Sequence, residues 1–334
     1  MCAVTKYIII TSINHPTEAV ARFSKWEGWQ LIVIGDRKSP SVWDHEGVIY
    51  LGIEEQYTEF GALAKAIPEN TYTRKMLGYI YAIRRGAKAI FDTDDDNLPY
   101  GNAQRIVEAQ LFSNDRVSAK RMRSESGWLN IYKAFGAQNC WPRGFPLEYI
   151  SDNTSSGAPG MDTMPWGVIQ FLADEDPDVD AVYRMLGGDP VYFARDRQYI
   201  LDAGTYCPIN SQATLWTPET FPLLFLPLGI PDRVTDILRG YIALSCLWKT
   251  GQTVAFSSPV VYQERNAHNL FNDFQQEIPL YNNADLWSKM LLTASGNSVK
   301  DCYLDCIRKL ITLKALPQNN IESYEMFLAA AGIS

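Results

Sequence analysis

Short segments that are apolar on both sides constrain the fold of this chain more than any other feature. Tyr7-Ile8-Ile9-Ile10 and Leu31-Ile32-Val33-Ile34 are rich in β-branched residues and show no alternation with polar ones. A strand with one wet face alternates. A run without alternation is buried on both faces, as in a parallel sheet covered by helices. The first of these strands is expected from Lys6 to Thr11 and the second from Trp29 to Gly35. Gly47 to Leu51 predicts a third, and Ala87 to Phe91 a fourth. Helical periodicity falls between them. Glu18 to Trp26 has Thr17 in place to cap it, and Tyr72 to Arg85 carries Met76, Leu77, Ile80 and Ile83 on one side and Gly86 at its end. Strands and helices in this alternation predict an α/β domain with a Rossmann-like parallel sheet.

The rest of the chain is less regular. Asn102 to Ser113 predicts a helix, Ala213 to Trp216 a strand, Ile237 to Trp248 a buried helix, and Val260-Val261-Tyr262 another strand. From Leu286 onward the pattern is that of amphipathic helices. The expected organisation is therefore a main domain over residues 1–281 and a helical extension over 282–334 packed on it.

Size and charge narrow the functional classes. At 334 residues, 46% hydrophobic and 20% charged, the chain can bury an ample core. Its net charge of -8 and pI near 5.0 argue against nonspecific nucleic-acid binding and against attraction to an anionic membrane. No apolar stretch approaches the length of a membrane span, and no signal sequence is read before Tyr7, so a cytoplasmic protein without an integral membrane segment is expected. The six cysteines show no CxxC and no zinc-finger spacing, and all six are expected to be reduced. Cys302 and Cys306 would share a helix face as buried thiols.

The fourth strand runs directly into Asp92-Thr93-Asp94-Asp95-Asp96-Asn97. Four carboxylates in five residues repel one another unless something positive sits among them. A solvated acidic turn is one resolution. A hard divalent cation, Mn²⁺ or Mg²⁺, held by one or two carboxylates together with substrate phosphates is the other. The position favours the cation, because ligands of open α/β sheets bind outside the carboxyl ends of the strands. Thr11, Ser12 and Asn14 follow the first strand and Asp36 the second, while Arg74 and Lys75 open the helix before the fourth. Hydrogen-bonding groups for base and ribose, cations for phosphate and acids for a metal are what a nucleotide requires. The commoner fingerprints are missing: there is no GxxxxGK(S/T), no GxGxxG after the first strand, no HExxH and no GxSxG.

Asp94-Asp95-Asp96 at the end of a Rossmann-like strand resembles the DxD motif of GT-A glycosyltransferases. Further stretches resemble the catalytic domain of STELLO-type glycosyltransferases: Ile34 to Lys38, Tyr72 to Tyr79, Thr93 to Asn97, Trp141 to Pro146, Pro177 to Ala181, Asp232 to Ile237, and Arg265 to His268. The DDD run and Pro177 to Ala181 also bear a fainter likeness to UDP-sugar mutases.

The resemblance implies a GT-A fold, with a mostly parallel mixed sheet flanked by helices. It also implies a metal-dependent transfer of sugar from a UDP- or GDP-sugar to a hydroxyl of a glycan, lipid-linked or small-molecule acceptor. In that scheme Asp96 ligates the metal directly, Asp94 faces the ribose or the metal, and His268 completes the metal shell. Asp95, with the residues at the other strand ends, contributes to the nucleotide site. Asp236, placed just before the buried helix, is the general base of an inverting reaction. Asp178, Asp180 and Arg239 contact substrate. A nucleotide-sugar mutase and a non-catalytic binding module are the alternatives.

Overall fold

The computed structural model describes residues 5–111, 116–152, 156–157, 162–264 and 269–333. Its first part alternates as the apolar runs require. The order is β1 (Lys6–Thr11), α1 (Glu18–Phe23), β2 (Trp29–Ile34), β3 (Val48–Leu51), α2 (Ile53–Phe60), α3 (Ala62–Ala66), α4 (Lys75–Arg84) and β4 (Ala89–Thr93). Thr17 caps α1, its side chain accepting from the Val20 amide. A single 3-10 turn at Tyr72–Arg74 leads into α4.

The chain continues through β5 (Asn97–Pro99), α5 (Ala103–Leu111), β6 (Arg116–Arg123), α6 (Ile131–Ala134), β7 (Ser156–Gly157) and β8 (Asp162–Asp174). Then come α7 (Ala181–Met185), β9 (Gln198–Leu201), β10 (Ala213–Trp216), α8 (Asp232–Lys249) and β11 (Thr253–Gln263). Three helices finish it: α9 (Leu270–Leu291), α10 (Val299–Thr312) and α11 (Asn320–Ala331). Among the described residues no helix is long and apolar enough to cross a membrane.

All eleven strands join one sheet in the order β3-β2-β1-β4-β10-β8-β11-β9-β6-β7, with β5 on β11. The segment β3-β2-β1-β4 is parallel. Beyond it the sheet is mixed, because β10 enters antiparallel between β4 and β8 and β9 pairs antiparallel with β11. Parallel pairing returns farther along the sheet, between β8 and β11 and between β6 and β9, so the sheet is the mixed one expected.

Alternate residues of the central strands serve opposite cores. Tyr7, Ile9, Ile32, Ile34 and Ile90 pack with α4 and α8. Ile8, Ile10, Leu31, Val33 and Phe91 pack with α1 and α5 on the other face. Gly78 lets α4 lie close to the sheet, since a Cβ there would meet Ile9 Cγ2 at 2.7 Å.

The C-terminal helices do not form a separate appendage. Trp287, Leu291, Cys306, Leu310, Tyr324 and Phe327 share the core of α8 and α4. The expected boundary at residue 281 falls inside α9, one continuous helix. Helix α8 likewise begins at Asp232, so Asp236 lies one turn inside it rather than ahead of it.

Candidate active site

The carboxyl ends of β1, β2 and β4 open onto a cleft of about 740 Å³, a volume suited to a small organic ligand. Thr11, Ser12, Asn14, Asp36, Asp94, Asp95, Asp96, Asp178 and Asp236 all line it, so the structure brings together most of the residues singled out in the sequence.

The acidic run divides into residues with different duties. Asp92 is the next-to-last residue of β4 and is fully buried. Lys75 Nζ lies 2.7 Å from its Oδ1, and Arg239 Nη2 lies 3.2 Å from its Oδ2. Among the described residues Asp94 is held by one oxygen only. Its Oδ1 accepts from Lys75 Nζ at 2.8 Å and from the Tyr72 hydroxyl at 2.8 Å. Burial raises its pKa and Lys75 opposes that rise. Asp95 turns the other way, its Oδ2 accepting from the Ser12 hydroxyl and from Asn14 Nδ2 at 2.9 Å. The Thr17 hydroxyl donates to the Asp95 carbonyl at 2.6 Å, tying the run to the start of α1. Asp96 accepts one strong hydrogen bond, from Gln263 Nε2 to Oδ2 at 2.8 Å. Burial, and then the charge of Asp94, push the Asp96 carboxyl up to about 7.

On the opposite wall a single guanidinium joins two acids. Arg143 Nε lies 2.7 Å from Asp178 Oδ1 and its Nη2 2.8 Å from Oδ2, while Nη1 and Nη2 each stand 3.0 Å from an oxygen of Asp236. The Ser211 amide adds a bond to Asp236 Oδ2 at 3.3 Å. Burial would raise the Asp178 carboxyl, but Arg143 outweighs burial and holds it below the usual carboxylate range.

The two walls are connected. Gln263, which donates to Asp96, accepts from Gln212 Nε2 at 2.7 Å, and Gln212 Oε1 accepts from the Asp178 amide at 3.1 Å. A chain of amides thus runs from the acidic strand end to the Arg143 pair.

Several predicted residues take other positions. Lys75 is buried with its ammonium consumed by Asp92, Asp94, the Tyr72 hydroxyl and the Thr93 carbonyl, so it orders carboxylates rather than reaching for phosphate. Arg74 touches the cleft, but its guanidinium donates inward to Gln56 Oε1 at 2.7 Å and to the carbonyls of Ala64 and Ile67. Arg239 does not line the cleft. It binds Asp92 and the Ser211 hydroxyl, with its guanidinium 4.9 Å from the Trp216 ring centroid.

Asp180 is likewise withdrawn from the cleft. Its Oδ1 accepts from the Tyr183 amide at the start of α7 and its Oδ2 from Trp141 Nε1 at 2.7 Å. Asp36 lines the cleft and caps its own loop, accepting from the Arg37 amide at 2.7 Å. His268 lies outside the described residues.

Sequence reasoning assigned no role to Arg143, Tyr72, Gln212, Gln263, Asp232 or Arg233, all of which line the cleft. Arg143, Tyr72, Asp232 and Arg233 fall inside stretches quoted for the family likeness, so the signal was present but gave no duty to the individual side chains.

The donor set fits a hard divalent cation. The second oxygen of Asp94 is not needed by Lys75 or Tyr72, and Asp96 keeps acceptor capacity beside it. Among the described residues these acids do not form a converging set of three ligand atoms. Two protein carboxylates completed by phosphate oxygens and water is how Mg²⁺ and Mn²⁺ are commonly bound.

The site so defined is that of an α/β protein that gathers acids at a strand end across from an arginine-held carboxylate pair. Comparison with known sequences adds the relationship. A family model described as STELLO glycosyltransferases matches residues 233–331, from the first turn of α8 to the end of α11. The chain is 29% identical over 308 residues to the probable glycosyltransferase STELLO2 of Arabidopsis thaliana, covering 87% of this chain and 40% of that protein. It is 28% identical over 274 residues to STELLO1 of the same plant, covering 77% and 35%.

By sequence the chain is similar to the STELLO glycosyltransferases, and it spans less than half the length of these two plant proteins. Solved structures with a similar course include glucosyl-3-phosphoglycerate synthase from Mycobacterium tuberculosis in complex with phosphoglyceric acid. That match has a TM-score of 0.42 and 8% identity and covers 86% of this chain and 78% of that one. S. aureus TarS 1-349 in complex with UDP-GlcNAc is another, at a TM-score of 0.35 and 12% identity, covering 97% and 79%.

Proposed function

We propose that this protein is a metal-dependent glycosyltransferase of the GT-A kind. It would move a sugar from a UDP- or GDP-sugar to an acceptor hydroxyl. The observation that carries the reading is the end of β4, where Asp94 and Asp96 present unspent carboxylate oxygens to a cleft of nucleotide-sugar size. The name borne by the two plant relatives, probable glycosyltransferase, supports the reaction class. Mn²⁺ or Mg²⁺ held there would offset the charge that builds on the departing nucleoside diphosphate.

The chain's own residues supply position and proton transfer. Ser12 and Asn14 hold Asp95 at the mouth of the base and ribose side. Asp36 and Thr11 close that side from the neighbouring strand ends. Across the cleft Asp236 serves as the general base. Arg143 orients both of its oxygens, and a carboxylate with two oxygens retains lone pairs for an incoming hydroxyl. A base on the wall opposite the diphosphate would take the proton of the acceptor hydroxyl, whose oxygen bonds to the anomeric carbon from the far side as the bond to the nucleoside diphosphate breaks, which inverts the anomeric centre.

Titration calorimetry of UDP and of GDP in the presence of Mn²⁺ tests the reading. One of the two nucleotides binds the wild-type protein, the binding vanishes with EDTA, and Asp96→Ala weakens it at least tenfold, about 1.4 kcal/mol. Binding that ignores both EDTA and the substitution overturns it. Incubation with the UDP-sugar alone, followed by detection of a ring-isomerised sugar, would instead identify a mutase.

A further inference from the structure

The last turn of α8 and one face of α10 hold a group of side chains that the cleft does not use. Cys246 comes from α8, and Cys302 and Cys306 stand one turn apart on α10. All three are fully buried. Their sulfur atoms lie within 4.8 Å of one another, and among the described residues no other set of three or more acidic, histidine or cysteine ligand atoms converges so closely. The thiols take one another as hydrogen-bond partners.

We propose that Cys246, Cys302 and Cys306 form a three-sulfur site for a soft d¹⁰ metal ion, Cu⁺ or Zn²⁺, that fastens α10 to α8. Sulfur ligands at the usual metal distance of about 2.3 Å stand roughly 4 Å apart, so the sulfurs need to close by no more than about 1 Å. Thiolates select soft ions over Mg²⁺ and Mn²⁺, which separates this site chemically from the carboxylates of the cleft. Each thiol that binds releases its proton to solvent and donates a lone pair to the ion, with no change in oxidation state.

A second observation points the same way. The Tyr324 hydroxyl is buried and has no hydrogen-bond partner among the described residues, and its ring is stacked on Tyr303 at 4.6 Å. Tyr324 lies in the same core cluster as Cys246, Cys302 and Cys306. A metal-bound thiolate is the acceptor that this hydroxyl lacks, in the way that second-shell donors commonly steady metal ligands. Three sulfurs with no fourth ligand suit Cu⁺, which accepts three-coordination, while Zn²⁺ would add a fourth donor.

The full-length chain, stripped of metal under reducing anaerobic conditions, is incubated with Cu⁺ or Zn²⁺. It is then passed through a chelating column and assayed for bound metal. One equivalent of one ion per chain is expected, falling at least tenfold in Cys302→Ser and in Cys246→Ala. The same equivalent is retained in the Asp94→Ala, Asp96→Ala double variant, where the nucleotide-linked ion of the proposed transferase is lost. Bound metal also raises the melting temperature of the wild type and not of the cysteine variants.

If folded wild-type protein retains neither ion, the cluster is three packed thiols and the proposal fails. It fails equally if the cysteine variants bind as much metal as the wild type. The wild-type result decides the matter even where a variant does not fold, and it leaves the reading of the cleft untouched.

Discussion

The ammonium of Lys75 lies 2.8 Å from Asp94 Oδ1, inside the protein, at the point where the first helical turn of α4 meets the end of β4. The same ammonium neutralises Asp92 at 2.7 Å. The cation that the acidic run demands is therefore partly built into the chain. The divalent ion proposed for the cleft would take the outward side of Asp94 and Asp96.

Removal of that ammonium should be costly. Lys75→Met leaves Asp92 paired with Arg239 and leaves Asp94 held by the Tyr72 hydroxyl without a countercharge. A loss of about 3 to 5 kcal/mol is expected, as for breaking a buried ion pair from one side. Urea unfolding followed by circular dichroism measures it. A change below 1 kcal/mol would show that the network relaxes at little cost.

The Arg143 pair should govern turnover if Asp236 is the base. Asp236→Asn keeps a polar group of the same shape but cannot take a proton, so transfer should fall by about a hundredfold or more. Arg143→Lys replaces a planar fork that serves two carboxylates with a point charge. A loss on the order of a hundredfold in kcat follows from the misplaced base, with KM less affected. Wild-type rates in either variant, measured as nucleotide release with a competent acceptor, would remove Asp236 from the mechanism.

Asp180 gives stability a pH dependence of known sign. Burial pushes its carboxyl up to about 6, against an ordinary value of 3.8. Between those values the folded chain holds the proton more tightly than the unfolded one. The contribution of Asp180 to stability is therefore greatest at low pH and declines as pH rises from about 4 to about 6. Asn at this position retains the cap on α7 through its one oxygen and gives up the bond from Trp141 Nε1, to which it presents an NH2 group. Asp180→Asn should flatten the melting-temperature profile over that window, with the lost Trp141 bond lowering stability by the same amount at every pH. A steeper decline in the variant would contradict the assignment.

Gly240 should resist substitution although it lies in mid-helix. A Cβ there would sit 2.4 Å from the Ile209 carbonyl oxygen, a backbone atom with little room to move. Alanine gains about 1 kcal/mol of helix propensity. Overpacking costs about 1 to 3 kcal/mol. Gly240→Ala should lower the melting temperature, and a rise would mean that the loop carrying Ile209 gives way.

Much of the N-terminal half was legible because its signals are local. Tyr7 to Ile10 and Leu31 to Ile34 declare two-sided burial within a few residues, and the Thr17 cap needs only its own helix. The antiparallel entry of β10 was not legible, since Ala213 to Trp216 are as apolar beside an antiparallel neighbour as beside a parallel one. The duties of the cations were hidden for a similar reason. Arg74, Lys75 and Arg239 carry charges that suit a phosphate. Whether they reach one depends on carboxylates and carbonyls brought from elsewhere, among them Asp92, Gln56 and Ala64.

The sequence by itself determined where strands end and where acids gather. Both follow from runs of neighbouring residues, whose burial pattern and mutual repulsion act over a few ångströms of chain. Only the tertiary structure decided which of those acids face the cleft. Arg143 is 35 positions from Asp178 and 93 from Asp236, and Arg239 is 147 from Asp92. Packing sets such pairings, because charges separated that far along the chain meet only after the sheet and α8 have closed on each other.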